Sequence, residues 1–260
     1  MTTKMNNDDI AISVVIIARN EETNLEECLK SCTFAKEIIL VDDNSTDKTV
    51  EIAISFGAKV FTRSLNSNWG AQQTFAIKQA TCPWIFLIDA DERCSEDLQK
   101  EILETVKLGK KRTYLIHREN RFRYYKATHG VLRPDWVQRL MPNEDVTVEG
   151  YVHPKIISNY PEQRLKSALL HYTYSDWDQY YRKLNQYCYL AANKYFKNGK
   201  RKSFLFSVVI NPLWAFVKVY FINLGFLDGK MGFILSANHY SYTLQKYVRL
   251  YTLYKSNGKL

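Results

Sequence analysis

Disulfide and zinc frameworks lack support in this 260-residue chain. Its five cysteines (Cys28, Cys32, Cys82, Cys94 and Cys188) form an odd set with no Cys-X-X-Cys pair. Reduced thiols in a cytosolic compartment explain them better. No apolar segment follows Met1, and the polar stretch through Asp9 reads as a flexible N-terminus, so a secretion signal is not expected. No Gly-X-Gly-X-X-Gly follows the first predicted strand, and Gly-X-X-X-X-Gly-Lys-Ser/Thr is absent. Two common cradles for nucleotide phosphates are thereby removed.

Carboxylates are scarce in the second part of the chain. Residues 151–260 hold 16 Lys and Arg against 4 Asp and Glu, whereas residues 1–150 hold 20 against 23. The net charge of +9 therefore belongs to the C-terminal part, which is also rich in aromatics. Such asymmetry implies a polyanionic partner, either nucleic acid or an anionic membrane surface. Helix-turn-helix, zinc-finger and ribonucleoprotein-type motifs are missing, so nucleic acid is not the expected partner. A basic nucleic-acid-binding protein stands as the alternative from a different class.

What the chain does have is a set of apolar runs ending in acid. Trp84-Ile-Phe-Leu-Ile88 is an unalternating run, predicting a strand buried on both faces, and it leads into Asp89, Asp91 and Glu92. Ile12–Ala18 is a second such run, ending in Arg19-Asn20, and Glu37–Val41 a third, ending in Asp42-Asp43. Helices are predicted between them, over about 21–32, 48–56 and 70–80, with Ala58–Thr62 as a short further strand. Ser95 is positioned to cap a helix after the metal-strand candidate. Alternating strands and helices of this length give a mostly parallel sheet with right-handed crossovers. Strand ends in such a sheet share one edge, where ligands bind. The two aspartate-tipped strands are expected side by side, their four carboxylates facing one crevice. Paired carboxylates suit a hard cation, Mg²⁺ or Mn²⁺, carrying a diphosphate.

Three segments, Ser13-Val-Val-Ile-Ile-Ala-Arg-Asn-Glu-Glu22, Val41-Asp-Asp-Asn-Ser-Thr-Asp47 and Leu87-Ile-Asp-Ala-Asp-Glu92, resemble in order and spacing the signatures of glycosyltransferase family 2. Further segments, Trp136–Leu140, Gly150–His153 and Gly225–Gly229, resemble a bacterial subgroup that includes lipopolysaccharide-core β-glucosyltransferases. The resemblance implies an inverting enzyme of the GT-A (Rossmann-like) α/β fold using a nucleotide-sugar donor. It implies that Asp43 reads a uracil-like base with Asp42 supporting it, and that Ala18, Arg19 and Glu21 line the nucleotide pocket. It further implies that Asp89 lies near ribose and metal, and that Asp91 binds the metal. Glu149 is the preferred general base over Asp135, Glu144 and Asp145, while His153 and Arg139 are candidates for holding diphosphate or acceptor. The chain departs from the family's pattern at Gln73-Thr74, where Arg-Asn is usual, and at Pro154, where Glu is usual.

The expected organisation is a GT-A catalytic domain over 10–172, with a nucleotide-sugar half to 95 and an acceptor half beyond it. A basic, aromatic-rich helical region over 173–260 completes the chain. Arg118, Arg121, Arg123 and Arg133 are candidate phosphate contacts for an acidic acceptor. Phe204–Asn223 approaches the roughly 20 apolar residues of a membrane span, but Pro212 and Lys218 favour a helix lying in the interface. The last helix is predicted to pack through Phe233, Ala237, Tyr240, Leu244, Tyr247, Tyr251 and Tyr254. The expected partners are a nucleotide-sugar donor, a lipid-anchored glycan acceptor (lipopolysaccharide core or a polyprenyl-phosphate-linked glycan) and an anionic membrane. The expected location is the inner face of the bacterial cytoplasmic membrane.

Overall fold

The structure is a computed structural model that describes residues 11–122, 125, 128–150, 154–174, 176–200 and 203–258. The chain forms two compact units. The first comprises residues up to 118 and 135–171; the second comprises 119–134 and 172–260. Residues 119–134, which the sequence reading places in the catalytic domain, thus belong to the C-terminal unit.

The first unit begins with β1 (Ile12–Ala18), α1 (Leu25–Lys30), β2 (Glu37–Asp42), α2 (Thr49–Ser55), β3 (Lys59–Thr62), α3 (Trp69–Lys78) and β4 (Trp84–Leu87). These strands lie in the order β3-β2-β1-β4 and all pair in parallel. β1 therefore lies between the two aspartate-tipped strands, which are not neighbours as expected. Both pair in parallel with β1, one on each side, so their carboxyl ends still share one edge. Every residue of β4 is buried, as its apolar run predicts. Fully burying Ile85, Phe86 or Leu87 contributes roughly 1.5–3 kcal/mol each.

β5 (Glu92–Cys94), α4 (Glu96–Lys107), β6 (Thr113–Phe122), β7 (Asp135–Pro142) and β10 (Glu162–Tyr174) extend the sheet as β4-β7-β6-β10-β5. β7 runs antiparallel to both β4 and β6, and β10 antiparallel to β5, so the sheet is mixed. Ser95 accepts the Leu98 N–H at the start of α4, which buries Leu98, Ile102 and Val106. β8 (Thr147–Glu149) and β9 (Lys155–Ile157) form a separate antiparallel pair.

In the second unit, α5 (Trp177–Lys197) and α7 (Gly229–Lys255) are long helices joined by a helical stretch over 205–222. That stretch is α-helical only in its middle, α6 (Asn211–Val217); Leu205–Ile210 and Lys218–Ile222 are π-wound. The Gly225–Gly229 turn is a packing joint. A Cβ on Gly232 would fall 1.8 Å from the Gly225 carbonyl oxygen, so α7 docks only on a bare backbone there. Asp228 closes the joint by accepting the Thr128 and His129 backbone N–H groups. α7 does not use one stripe. Met231 and Leu235 pack with Phe122, Leu132 and Tyr180, whereas Tyr247, Leu250 and Leu253 pack with Ala192. Phe233 and Tyr251, expected inside, are exposed.

Candidate active site

The carboxyl ends of β1, β2 and β4 carry most of the predicted site. Ala18, the last residue of β1, is buried beside Asp42 in the register. Asp42 accepts the Ser45 N–H with both oxygens, and so holds the turn that follows β2. Asp43 is buried; its Oδ1 accepts the Leu65 N–H at 2.8 Å. Its Oδ2 is 3.2 Å from Arg19 Nη1, and the arginine side chain is 65% exposed. Only the arginine partner reaches solvent, so Oδ2 is the Asp43 oxygen that faces outward. Glu21 anchors the other side of the loop, its N–H donating to Thr49 Oγ1 and its carboxylate accepting from Asn24.

At the end of β4 the positive charge expected from a cation is partly supplied by the protein. Arg139, buried on β7, donates through Nη2 to Asp89 Oδ2 and to Glu92 Oε1, the latter at 2.6 Å. Glu92 is fully buried; it accepts the Asp89 N–H at 2.9 Å and stands 3.3 Å from Arg118 Nη1. Arg118 in turn grips Asp135 with two hydrogen bonds. Burial pushes the Glu92 carboxyl up, with the Arg139 charge opposing it. Burial works against the Arg139 guanidinium, but Asp89 and Glu92 outweigh it and hold its pKa above the usual arginine value. The network fixes the Asp89 side chain from both its backbone and its carboxylate.

Asp91, two residues beyond Asp89, faces β10. Its Oδ2 is 3.3 Å from His171 Nε2, because β10 pairs with β5 so that His171 stands opposite Glu92. A carboxylate and an imidazole, each partly accessible, would suit Mn²⁺ better than Mg²⁺, which prefers oxygen ligands throughout. No group of three or more His, Cys, Asp or Glu able to hold a metal ion occurs among the described residues.

Gln73, Arg118, Trp136 and Lys155 join Asp89 and Arg139 around a cavity of about 530 Å³. Glu149 lines a different depression with Arg63, Thr74 and Lys78. It lies there because Val148 turns inward and Thr74 Oγ1 bonds both the Val148 N–H and its carbonyl, fixing β8 on α3. Of the other candidate bases, Asp135 is engaged by Arg118, and Glu144 by Lys111 and Tyr160. His153 and Arg123 lie outside the described residues. Arg121 pairs with Glu119 in the second unit. Sequence reasoning missed His171, and it named Glu92 among the acids after the strand without giving it a role. Glu92 directly follows the Asp-Ala-Asp run and offered a signal; His171 offered none.

Residues 13–211 match the family described as Glycosyl transferase family 2. The chain belongs to glycosyltransferase family 2. Lipopolysaccharide core biosynthesis glycosyltransferase LpsC of Rhizobium meliloti is 30% identical over 246 residues, covering 86% of each chain. An uncharacterized glycosyltransferase of Rickettsia bellii is also 30% identical, over 86% of this chain and 80% of its own. Among solved structures, S. aureus TarS 1-349 in complex with UDP aligns over 95% of this chain and 92% of its own, at 15% identity and a TM-score of 0.46. Glucosyl-3-phosphoglycerate synthase from Mycobacterium tuberculosis, in complex with Mn²⁺, UDP and glucosyl-3-phosphoglycerate, aligns over 43% of this chain and 44% of its own, at 24% identity and a TM-score of 0.36. The mixed sheet flanked by helices is the GT-A arrangement that family 2 membership implies, and the protein is a glycosyltransferase.

Proposed function

We propose that this family 2 enzyme transfers a hexosyl group, glucose by its resemblance, from a UDP-sugar to a lipopolysaccharide-core or other cell-envelope glycan, with inversion. The juxtaposition that carries the reading is Asp91 with His171, beside the Arg139-held Asp89, at the sheet edge that also bears Asp42 and Asp43. Asp43 Oδ2 gives up Arg19 and accepts the uracil N–H, while Asp42 keeps the turn in place. Asp89, fixed by Arg139 and Glu92, accepts from the ribose. Asp91 and His171 would hold the cation, their mixed oxygen and nitrogen donors favouring Mn²⁺ over Mg²⁺. When bound, the cation supplies Lewis-acid stabilisation of the leaving diphosphate.

Glu149 is the proposed base on the resemblance of its segment. Its depression is separate from the Asp89–Arg139 cavity, so the role requires the acceptor to reach from one to the other. Glu149 is exposed at the end of β8, whereas the carboxylates of Asp135 and Glu144 are already committed to ion pairs. A carboxylate in that role contributes about 10²–10⁴-fold by taking the acceptor hydroxyl's proton. The acceptor is proposed to be lipid-anchored, with the enzyme working at the inner face of the cytoplasmic membrane. Support comes from the basic excess and apolar exposure of the second unit. The test is release of nucleoside diphosphate by the purified protein with Mn²⁺ and a panel of nucleotide sugars. Turnover of a UDP-hexose is expected; turnover that is indifferent to both metal and uracil would refute the assignment.

A further inference from the structure

We infer that the outer face of residues 204–222 lies flat in the headgroup boundary of an anionic bilayer, and that a cavity between this segment and α7 takes the phosphate of one lipid. The inference deepens the membrane part of the reading above and rests on the second unit alone.

Leu205, Val209, Leu213, Val217 and Phe221 recur at every fourth residue, and all are exposed. In an α-helix of 3.6 residues per turn, such a line winds steadily around the axis. Here the π-wound segments at both ends have wider turns, so the four-residue line runs straighter along the helix. Phe206, Ile210 and Trp214 form a second exposed line beside it, continued by Lys218. The opposite side carries the buried Ser207, Pro212 and Val219. Only 22% of the 18-residue apolar window is buried, an apolar exposure too continuous for a face left to water.

Length and composition alone would let this helix cross a membrane. Its neighbour argues for lying flat. α6 packs along α7, which carries Asn238, His239, Gln245, Lys246 and Arg249. A crossing would draw those groups towards hydrocarbon, whereas a flat helix sinks only about 5–10 Å. Lys218 within the apolar face can snorkel to the phosphates.

Charge selects an anionic surface. From Gln179 to the C-terminus there are 13 Lys and Arg and one acidic side chain, Asp228. Asp228 is buried and accepts from Thr128 and His129, so it does not oppose an anionic surface. The cavity, about 380 Å³, is lined by Phe204, Ser207, Tyr247 and Tyr251, with Lys200 and Lys255. Lys200 Nζ rests 3.8 Å from the centre of the Tyr195 ring, and Lys255 Nζ 5.7 Å from that of Tyr251. Apolar walls with two ammonium groups match one lipid phosphate and the start of its acyl chain.

The test uses the full chain and vesicles of phosphatidylglycerol and phosphatidylcholine, with pure phosphatidylcholine as control. Spin labels on Leu205→Cys, Leu213→Cys and Phe221→Cys report depth, the five native cysteines being buried. Three similar, shallow depths are expected. A mid-bilayer depth for Leu213→Cys with shallow flanks would mean a spanning helix and overturn the proposal, as would no partitioning or concentration-dependent self-association that covers the labels. Lys200→Gln with Lys255→Gln should weaken binding to the anionic vesicles by about five-fold per lysine and spare the control; unchanged binding overturns the lipid-phosphate cavity. UDP-sugar turnover towards water, measured without vesicles, should be the same in these variants. Its loss in the wild type would count against the enzyme reading and not against this one.

Discussion

His171 Nε2 stands 3.3 Å from Asp91 Oδ2, although 80 residues of chain separate them. The antiparallel pairing of β10 with β5 creates the contact. If the two side chains share a cation, they fail in different ways. Asp91→Asn should lower turnover by about 10³-fold, the equivalent of several kcal/mol of lost transition-state stabilisation. His171→Ala should raise the Mn²⁺ concentration needed for half-maximal rate by about ten- to a hundred-fold and be partly rescued by excess metal. Steady-state rates across a Mn²⁺ titration check both; a His171→Ala enzyme with wild-type metal dependence would remove the histidine from the site.

Glu92 and Arg139 form a buried pair, and removing one partner leaves an uncompensated charge. Glu92→Ala should cost about 3–5 kcal/mol of stability, with Glu92→Gln costing less because the amide still accepts from the Asp89 N–H. Chemical denaturation reads the difference. Equal losses for the two variants would show that the hydrogen bond to Asp89 contributes nothing.

Much of this arrangement was legible in the chain itself. β1, β2 and β4 announce themselves because strands covered on both faces need uninterrupted apolar residues, and their acidic ends mark the ligand edge. Ser95 announces α4 through its cap. The placement of β1 between the aspartate-tipped strands was not legible, since hydrophobicity says that a strand is central but not which neighbour it takes. His171 was hidden for a related reason: β10 is mostly half-buried and lacks a clean alternation, so neither its pairing nor the side its histidine faces could be read. The stripe on α7 failed because that helix meets two separate apolar clusters along its length.

Gly70 carries a stability prediction. A Cβ there would lie 2.8 Å from the Val148 carbonyl oxygen and 2.9 Å from that of Gly150, both backbone. Gly70→Ala must push β8 off α3, costing about 1–3 kcal/mol as overpacking does. It should also displace Glu149 and reduce turnover. Thermal unfolding and rate measured together decide the point, and a variant as stable and active as the wild type would count against the close packing.

The acid limb of stability should depend on Glu37. Burial works to raise its carboxyl, but hydrogen bonds from Lys59, Ser13 and Thr81 outweigh it and hold the pKa down to about 2, against 4.5 for the ordinary group. The folded value is the lower one, so the stabilisation is complete above about pH 4.5 and is lost as pH falls towards 2. Because its partner Lys59 is solvent-screened, the contribution is on the order of 1 kcal/mol. Glu37→Gln should therefore be less stable near neutrality and lose less on acidification; parallel pH curves for the two proteins would contradict this.

Calorimetric titration of UDP into the purified protein, with and without Mn²⁺, tests the central claim most directly. Wild-type protein should bind UDP far more tightly with Mn²⁺, and Asp91→Asn should bind it equally with or without the metal. A metal-dependent gain retained in full by Asp91→Asn would show that the cation is held elsewhere.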